Sequence, residues 1–137
     1  MMQWHAQMCT DRYARHVGEM AYLETKLALT DSQRPLFASW KDAVLAGAKS
    51  RTDHCLTRKR DEGQPMSLPD REARMHEMLE ARLAEMDAQR PALTALYQSL
   101  TPEQKRVFDF SHGGHGGHGE HGHDRPGEHG PHAEQDG

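Results

Sequence analysis

The sequence is poor in the residues that build sheets, membrane spans and nucleic-acid surfaces. Aromatic residues make up only 6% of the 137. β-Branched residues are also scarce, while Ala, Leu, Glu, Arg and Met are plentiful, a bias toward helix and away from strand. With 35% hydrophobic residues, the chain can build one domain with a thin core. No apolar run approaches the roughly 20 residues of a spanning helix, so no membrane span is expected. Positive charge is not in excess. The net charge is −4. The segment from Ser111 on accounts for it, with Glu120, Asp124, Glu128, Glu134 and Asp136 against Arg125 alone. A neutral body lacks the electrostatic footprint of a nucleic-acid binder. The polar stretch after Met1-Met2 has no apolar signal-peptide core, which leaves a cytoplasmic protein or the mature part of an exported one. Cysteine occurs twice, at Cys9 and Cys55, and never as CxxC, which argues against a cysteine-based zinc site. No nucleophile–base pairing, phosphate loop or paired-carboxylate motif is evident, and the chain is read as a non-enzyme.

A pentapeptide stands out against this plain background because it occurs twice. Leu29-Thr30-Asp31-Ser32-Gln33 and Leu100-Thr101-Pro102-Glu103-Gln104 share the pattern Leu-Thr-x-x-Gln. Each is followed at the same offset by an aromatic residue, Phe37 or Phe108. Thr30 and Thr101 are placed to cap a helix. Gln33 and Gln104 are placed to reach back to the N–H of the capping residue. Pro102 falls at the first helical position, where its missing N–H costs nothing. The motif is thus read as two helix starts, with Leu29 and Leu100 as apolar staples and Thr30, Gln33, Thr101 and Gln104 in a structural capping role.

Four helices follow from the periodicity. The first is expected from about Trp4 to Leu27, with Met8, Tyr13, Val17, Met20, Leu23 and Leu27 as its apolar stripe. A second is expected from Asp31 to about Asp61, with Leu36, Phe37, Trp40, Val44 and Ala48 on one side. Gly63-Gln64-Pro65 breaks the pattern. A third helix starts at Ser67 or Pro69-Asp70 and carries Met75, Met78, Leu79, Leu83, Met86, Leu93 and Leu96, the methionines read mainly as core. Pro91 in its interior should kink it. A short fourth helix spans Thr101 to about Phe110. The helical domain is placed at 1–110 and a disordered His-rich tail at 111–137, since the tail has almost no apolar surface to offset its ordering entropy.

The tail carries seven imidazoles within 21 residues: His112, His115, His118, His121, His123, His129 and His132. Neutral imidazole binds Cu²⁺, Zn²⁺ and Ni²⁺, and glycine spacers remove steric obstacles to wrapping several around one ion. The alternative is an inert solubilising tail. A smaller group, Met1, Met2, His5 and Met8, combines thioether with imidazole, a soft set suited to copper. It lies outside the thick part of the expected bundle. Together these residues nominate a transition metal ion (Cu, Zn or Ni) as ligand.

Two Leu-Thr-x-x-Gln motifs on a small, helical, Met-rich chain resemble the LTxxQ family. These are the Spy- and CpxP-like periplasmic proteins, including metal-responsive relatives of the ZraP and CnrX kind. The resemblance covers about residues 8–110. It implies a bent antiparallel helical hairpin with flanking helices, a homodimer and a periplasmic location. The functions it implies are ATP-independent chaperoning, modulation of envelope-stress signalling, or metal sensing and buffering. Unfolded client proteins or a sensor kinase are the protein partners it suggests. The region Cys9 to Trp40 looks like the branch of the family with two cysteines. If the first two helices fold back at Thr30, Cys9 and Cys55 differ in distance along the hairpin by less than about 8 Å, which a curved hairpin absorbs. Both reduced thiols and a disulfide fit that geometry. The exported relatives and the redox rule favour a Cys9–Cys55 disulfide. The leading expectation is therefore a periplasmic metal-stress accessory protein that binds or buffers Cu, Zn or Ni. A chaperone or signalling modulator is the alternative, and a purely structural helical module the third reading.

Overall fold

The computed structural model describes residues 2–58 and 65–113. They form four helices: α1 (Met2–Leu27), α2 (Arg34–Thr57), α3 (Leu68–Ser99) and α4 (Pro102–Gly113), with no strand among the described residues. Helices α1 and α2 fold back on each other, α2 also packs on α3, and α4 returns to α1. This is the all-α antiparallel hairpin with flanking helices that the family resemblance implied.

Local chemistry accounts for most of the helix ends. The Ser67 hydroxyl accepts from the Asp70 N–H at 3.3 Å and opens α3, with Pro69 in the first turn where no backbone donor is missed. Pro91 lies inside α3 without ending it. The turn after α1 holds one strained residue: Ala28 sits at φ 49°, in the left-handed region usual for a residue that closes a helix. Helix α2 starts later than expected, at Arg34 rather than Asp31. The reason is that the Thr30 carbonyl accepts from both the Gln33 and Arg34 N–H groups, at 3.1 Å each. Asp31, Ser32 and Gln33 are thereby held in the turn.

The core lies at the motif end of the molecule. Met20, Leu23 and Leu27 of α1 meet Phe37, Trp40 and Val44 of α2, Leu96 of α3 and Phe108 of α4, with Leu29 and Leu100 buried in the connecting turns. The Trp40 ring centroid lies 5.6 Å from that of Phe37 and 5.1 Å from that of Phe108, in edge and tilted geometries that favour aromatic pairs. The two aromatic residues at matching offsets after the motifs thus flank a single indole.

Away from that end the stripes expected from periodicity are not covered. Met8 and Val17 of α1 are exposed. So are Met75, Met78, Leu79, Leu83 and Met86 of α3, each about half accessible. Met75, Met78 and Met86 are therefore not core methionines as expected, whereas Met20 in the stripe of α1 is buried, at 1% exposure. The physical reason is length. Helix α3 has 32 residues against 12 in α4, and among the described residues nothing covers the apolar row of its N-terminal half. An ion pair between Arg51 and Glu85 ties α2 to the middle of α3.

Candidate functional site

The two motifs face each other, and their glutamines form a reciprocal pair. Gln33 Nε2 donates to Gln104 Oε1 at 2.8 Å, and Gln104 Nε2 donates to Gln33 Oε1 at 2.9 Å. Each Oε1 also accepts from the N–H of its own motif threonine, Thr30 at 3.1 Å and Thr101 at 2.9 Å. Each Nε2 spends its remaining hydrogen on a carbonyl at the end of another helix: Gln33 on Ser99 of α3 at 2.7 Å, and Gln104 on Leu27 of α1 at 3.1 Å. Helix ends leave such carbonyls without intrahelical partners, so each glutamine ties the threonine N–H of its own motif to the end of another helix. All four bonds available to each amide are made, in a site where Gln33 is only 5% exposed.

The two motif copies are equivalent in their glutamines but not in their threonines. Thr101 Oγ1 accepts from the Gln104 N–H at 3.2 Å and completes a capping box. Thr30 Oγ1 instead pairs with Ser32 Oγ at 3.1 Å. The residue that caps α2 is Gln33, in a helical conformation and without a side-chain cap bond. The threonine cap expected at Thr30 is thus replaced by a tight turn.

At the opposite end a disulfide joins Cys9 of α1 to Cys55 of α2, with Cα atoms 5.8 Å apart. Counted from the helix ends rather than from Thr30, the offset along the hairpin shrinks from four residues to three, about 4.5 Å. His5, one turn before Cys9, places Nε2 at 3.9 Å from Cys9 Sγ. A cleft of about 190 Å³ opens beside the staple, lined by Arg12, Arg15, His16 and Arg51 as well as the two cysteines.

The family model described as LTXXQ motif family protein matches residues 15–112. The chain belongs to the LTXXQ motif family. That span takes in both motifs, the paired glutamines and the aromatic residues around Trp40. No curated protein and no solved structure is significantly similar to this LTXXQ chain. Membership supports a periplasmic accessory role in a non-enzymatic helical family. No described helix is long and apolar enough to cross a membrane.

The metal-ligand candidates of this LTXXQ protein fall in three places. His5 is half-buried beside the disulfide, and Met8, one turn away, is 40% exposed. Met2 and His112 lie in the terminal turns of α1 and α4, where only the backbone is described. Met1, His115, His118, His121, His123, His129 and His132 lie outside the described residues. Sequence reasoning missed two relationships: the amide pair between the motifs, and the approach of His5 to the cysteines. The shared Gln position signalled the first. The i,i+4 spacing of His5 and Cys9 signalled the second.

Proposed function

We propose that this LTXXQ protein is a periplasmic metal-stress accessory protein that binds or buffers Cu, Zn or Ni through its imidazoles. One observation carries the reading: seven histidines within 21 residues follow directly on a helical body locked by the paired motifs. A locked body with little enclosed volume suits a carrier for a ligand-rich segment better than it suits catalysis. Binding weakens as pH falls, because protonated imidazole does not coordinate. The test is calorimetric titration of Zn²⁺, Ni²⁺ and Cu²⁺ into the full chain and into a full chain with the seven tail histidines changed to Asn. Loss of most bound metal in the variant supports the reading, and unchanged binding refutes it.

The uncovered apolar row on α3 favours a second reading, the chaperone or signalling modulator. Met75, Met78, Leu79, Leu83 and Met86 form an adaptable surface of the kind used to hold varied partners. A groove of about 820 Å³ between α1 and α4, lined by Tyr22, Leu23, Val107 and Phe110, adds to it. The same row would be covered in a homodimer. Sedimentation at several concentrations, together with suppression of client aggregation with and without metal, separates these roles.

A further inference from the structure

We propose that reduction of the Cys9–Cys55 bond converts the staple into a metal site, in which both thiolates and the His5 imidazole bind one thiophilic ion, Zn²⁺ or Cu⁺. The site lies in the helical body and does not depend on the tail.

The donor atoms of His5, Cys9 and Cys55 all lie within 4.8 Å of one another. His5 Nε2 stands 3.9 Å from Cys9 Sγ, close to the separation of about 3.5–3.8 Å between two donors on one tetrahedral zinc. His5 and Cys9 share one face of α1 at i,i+4, and Cys55 comes from α2 across the hairpin. The absence of CxxC is therefore no obstacle: helix pairing supplies across 46 residues of sequence what CxxC supplies locally. Cys9 is 1% exposed, His5 and Cys55 are half-buried, and the two cysteines line the open cleft, so an ion has a sheltered seat. Two thiolates neutralise a divalent charge. Sulfur with imidazole selects Zn²⁺ and Cu⁺ over harder cations.

The chemistry balances with a dithiol reductant. Its two thiols become a disulfide, and their two electrons and two protons turn the Cys9–Cys55 bond into two thiols. The ion then displaces both thiol protons to solvent and accepts a lone pair from His5. For Zn²⁺ a fourth position remains for water. Return of the two thiolates to the disulfide, with their electrons passed to the oxidised partner, releases the ion. Metal capture in the body is thus coupled to thiol redox state.

The test uses Co²⁺ with the full chain, because thiolate-to-cobalt charge transfer reports sulfur ligation and is silent to tail imidazoles. The reduced protein is expected to develop that absorption and saturate at one Co²⁺ per chain, and the oxidised protein to show none. Changing the seven tail histidines to Asn should leave the band intact, so failure of the tail reading and failure of this one are separate results. His5→Ala, which keeps both cysteines, should weaken Co²⁺ binding by about tenfold or more, at least the cost of removing a supporting residue from a metal site. Zn²⁺ should also protect both cysteines of the reduced wild-type chain from alkylation. No charge-transfer band on reduction, a band that vanishes with the tail histidines, or affinity unchanged in His5→Ala would overturn the proposal. Loss of helical circular dichroism on reduction would overturn it too, because the site needs α1 and α2 side by side.

Discussion

Truncating Gln104 is expected to damage the fold far more than its half-exposed surface position suggests. Gln104→Ala removes four hydrogen bonds: from the Thr101 N–H, to the Leu27 carbonyl, and both bonds to Gln33. Thr101 is exposed, so water can replace its partner. The other three end on groups that water reaches poorly, and at ~1 kcal/mol each the loss is about 3 kcal/mol. In a body of this size that lowers the melting temperature by about 10–20 °C. Gln33→Ala should cost a similar amount by the same count. The two losses share the reciprocal pair, so the double variant should cost about 4 kcal/mol rather than about 6, a coupling of ~2 kcal/mol. Urea unfolding followed by far-ultraviolet circular dichroism, with the disulfide intact, measures all four corners of the cycle. Additive losses, or single losses below about 1 kcal/mol, would refute a mutual lock and leave two independent local caps.

The remaining expectations test other parts of the structure. Thr101→Ala should cost ~1 kcal/mol by loss of a cap, while Thr30→Ala should be nearly neutral, because its hydroxyl bonds only to exposed Ser32; equal losses in urea unfolding would contradict the asymmetry. Reduction of the disulfide should lower stability by about 3–4 kcal/mol, as expected for a closed loop of this length, measured with and without a phosphine reductant. Tyr97 should titrate above its ordinary value of 10.0, chiefly because its hydroxyl donates to Asp109 at 3.0 Å, with desolvation and the Asp109 charge adding to it. Since the folded value is the higher one, this bond stabilises the fold below the ordinary tyrosine range and is lost as pH rises through the raised value. NMR of the Tyr97 ring should show its midpoint returning toward 10.0 in Asp109→Asn.

Much of the fold was legible because capping and turn chemistry are local. The pentapeptides, Ser67 and Pro69 mark helix boundaries through bonds that span only a few residues. The start of α2 was not legible to that precision, since a Thr-x-x-Gln segment can close as a capping box or as a turn and only the Thr30 carbonyl bonds decide. Burial along α3 was misjudged for a different reason. Periodicity shows that Met75, Met78 and Leu83 share a side, but not whether a neighbour extends far enough to cover it. The glutamine pair was half visible: the repeat identified the residues, and only the meeting of the two turns shows that each amide also closes a distant helix. His5 was singled out for its proximity to methionines, whereas the contact that forms is with Cys9.

The most direct test of the proposed metal-stress role is the metal tolerance of cells that make the protein. Cells producing the full chain should grow at higher Cu, Zn or Ni concentrations than cells producing the variant with all seven tail histidines replaced by Asn, with both proteins accumulating equally. Equal tolerance for all three metals at equal protein levels would contradict it.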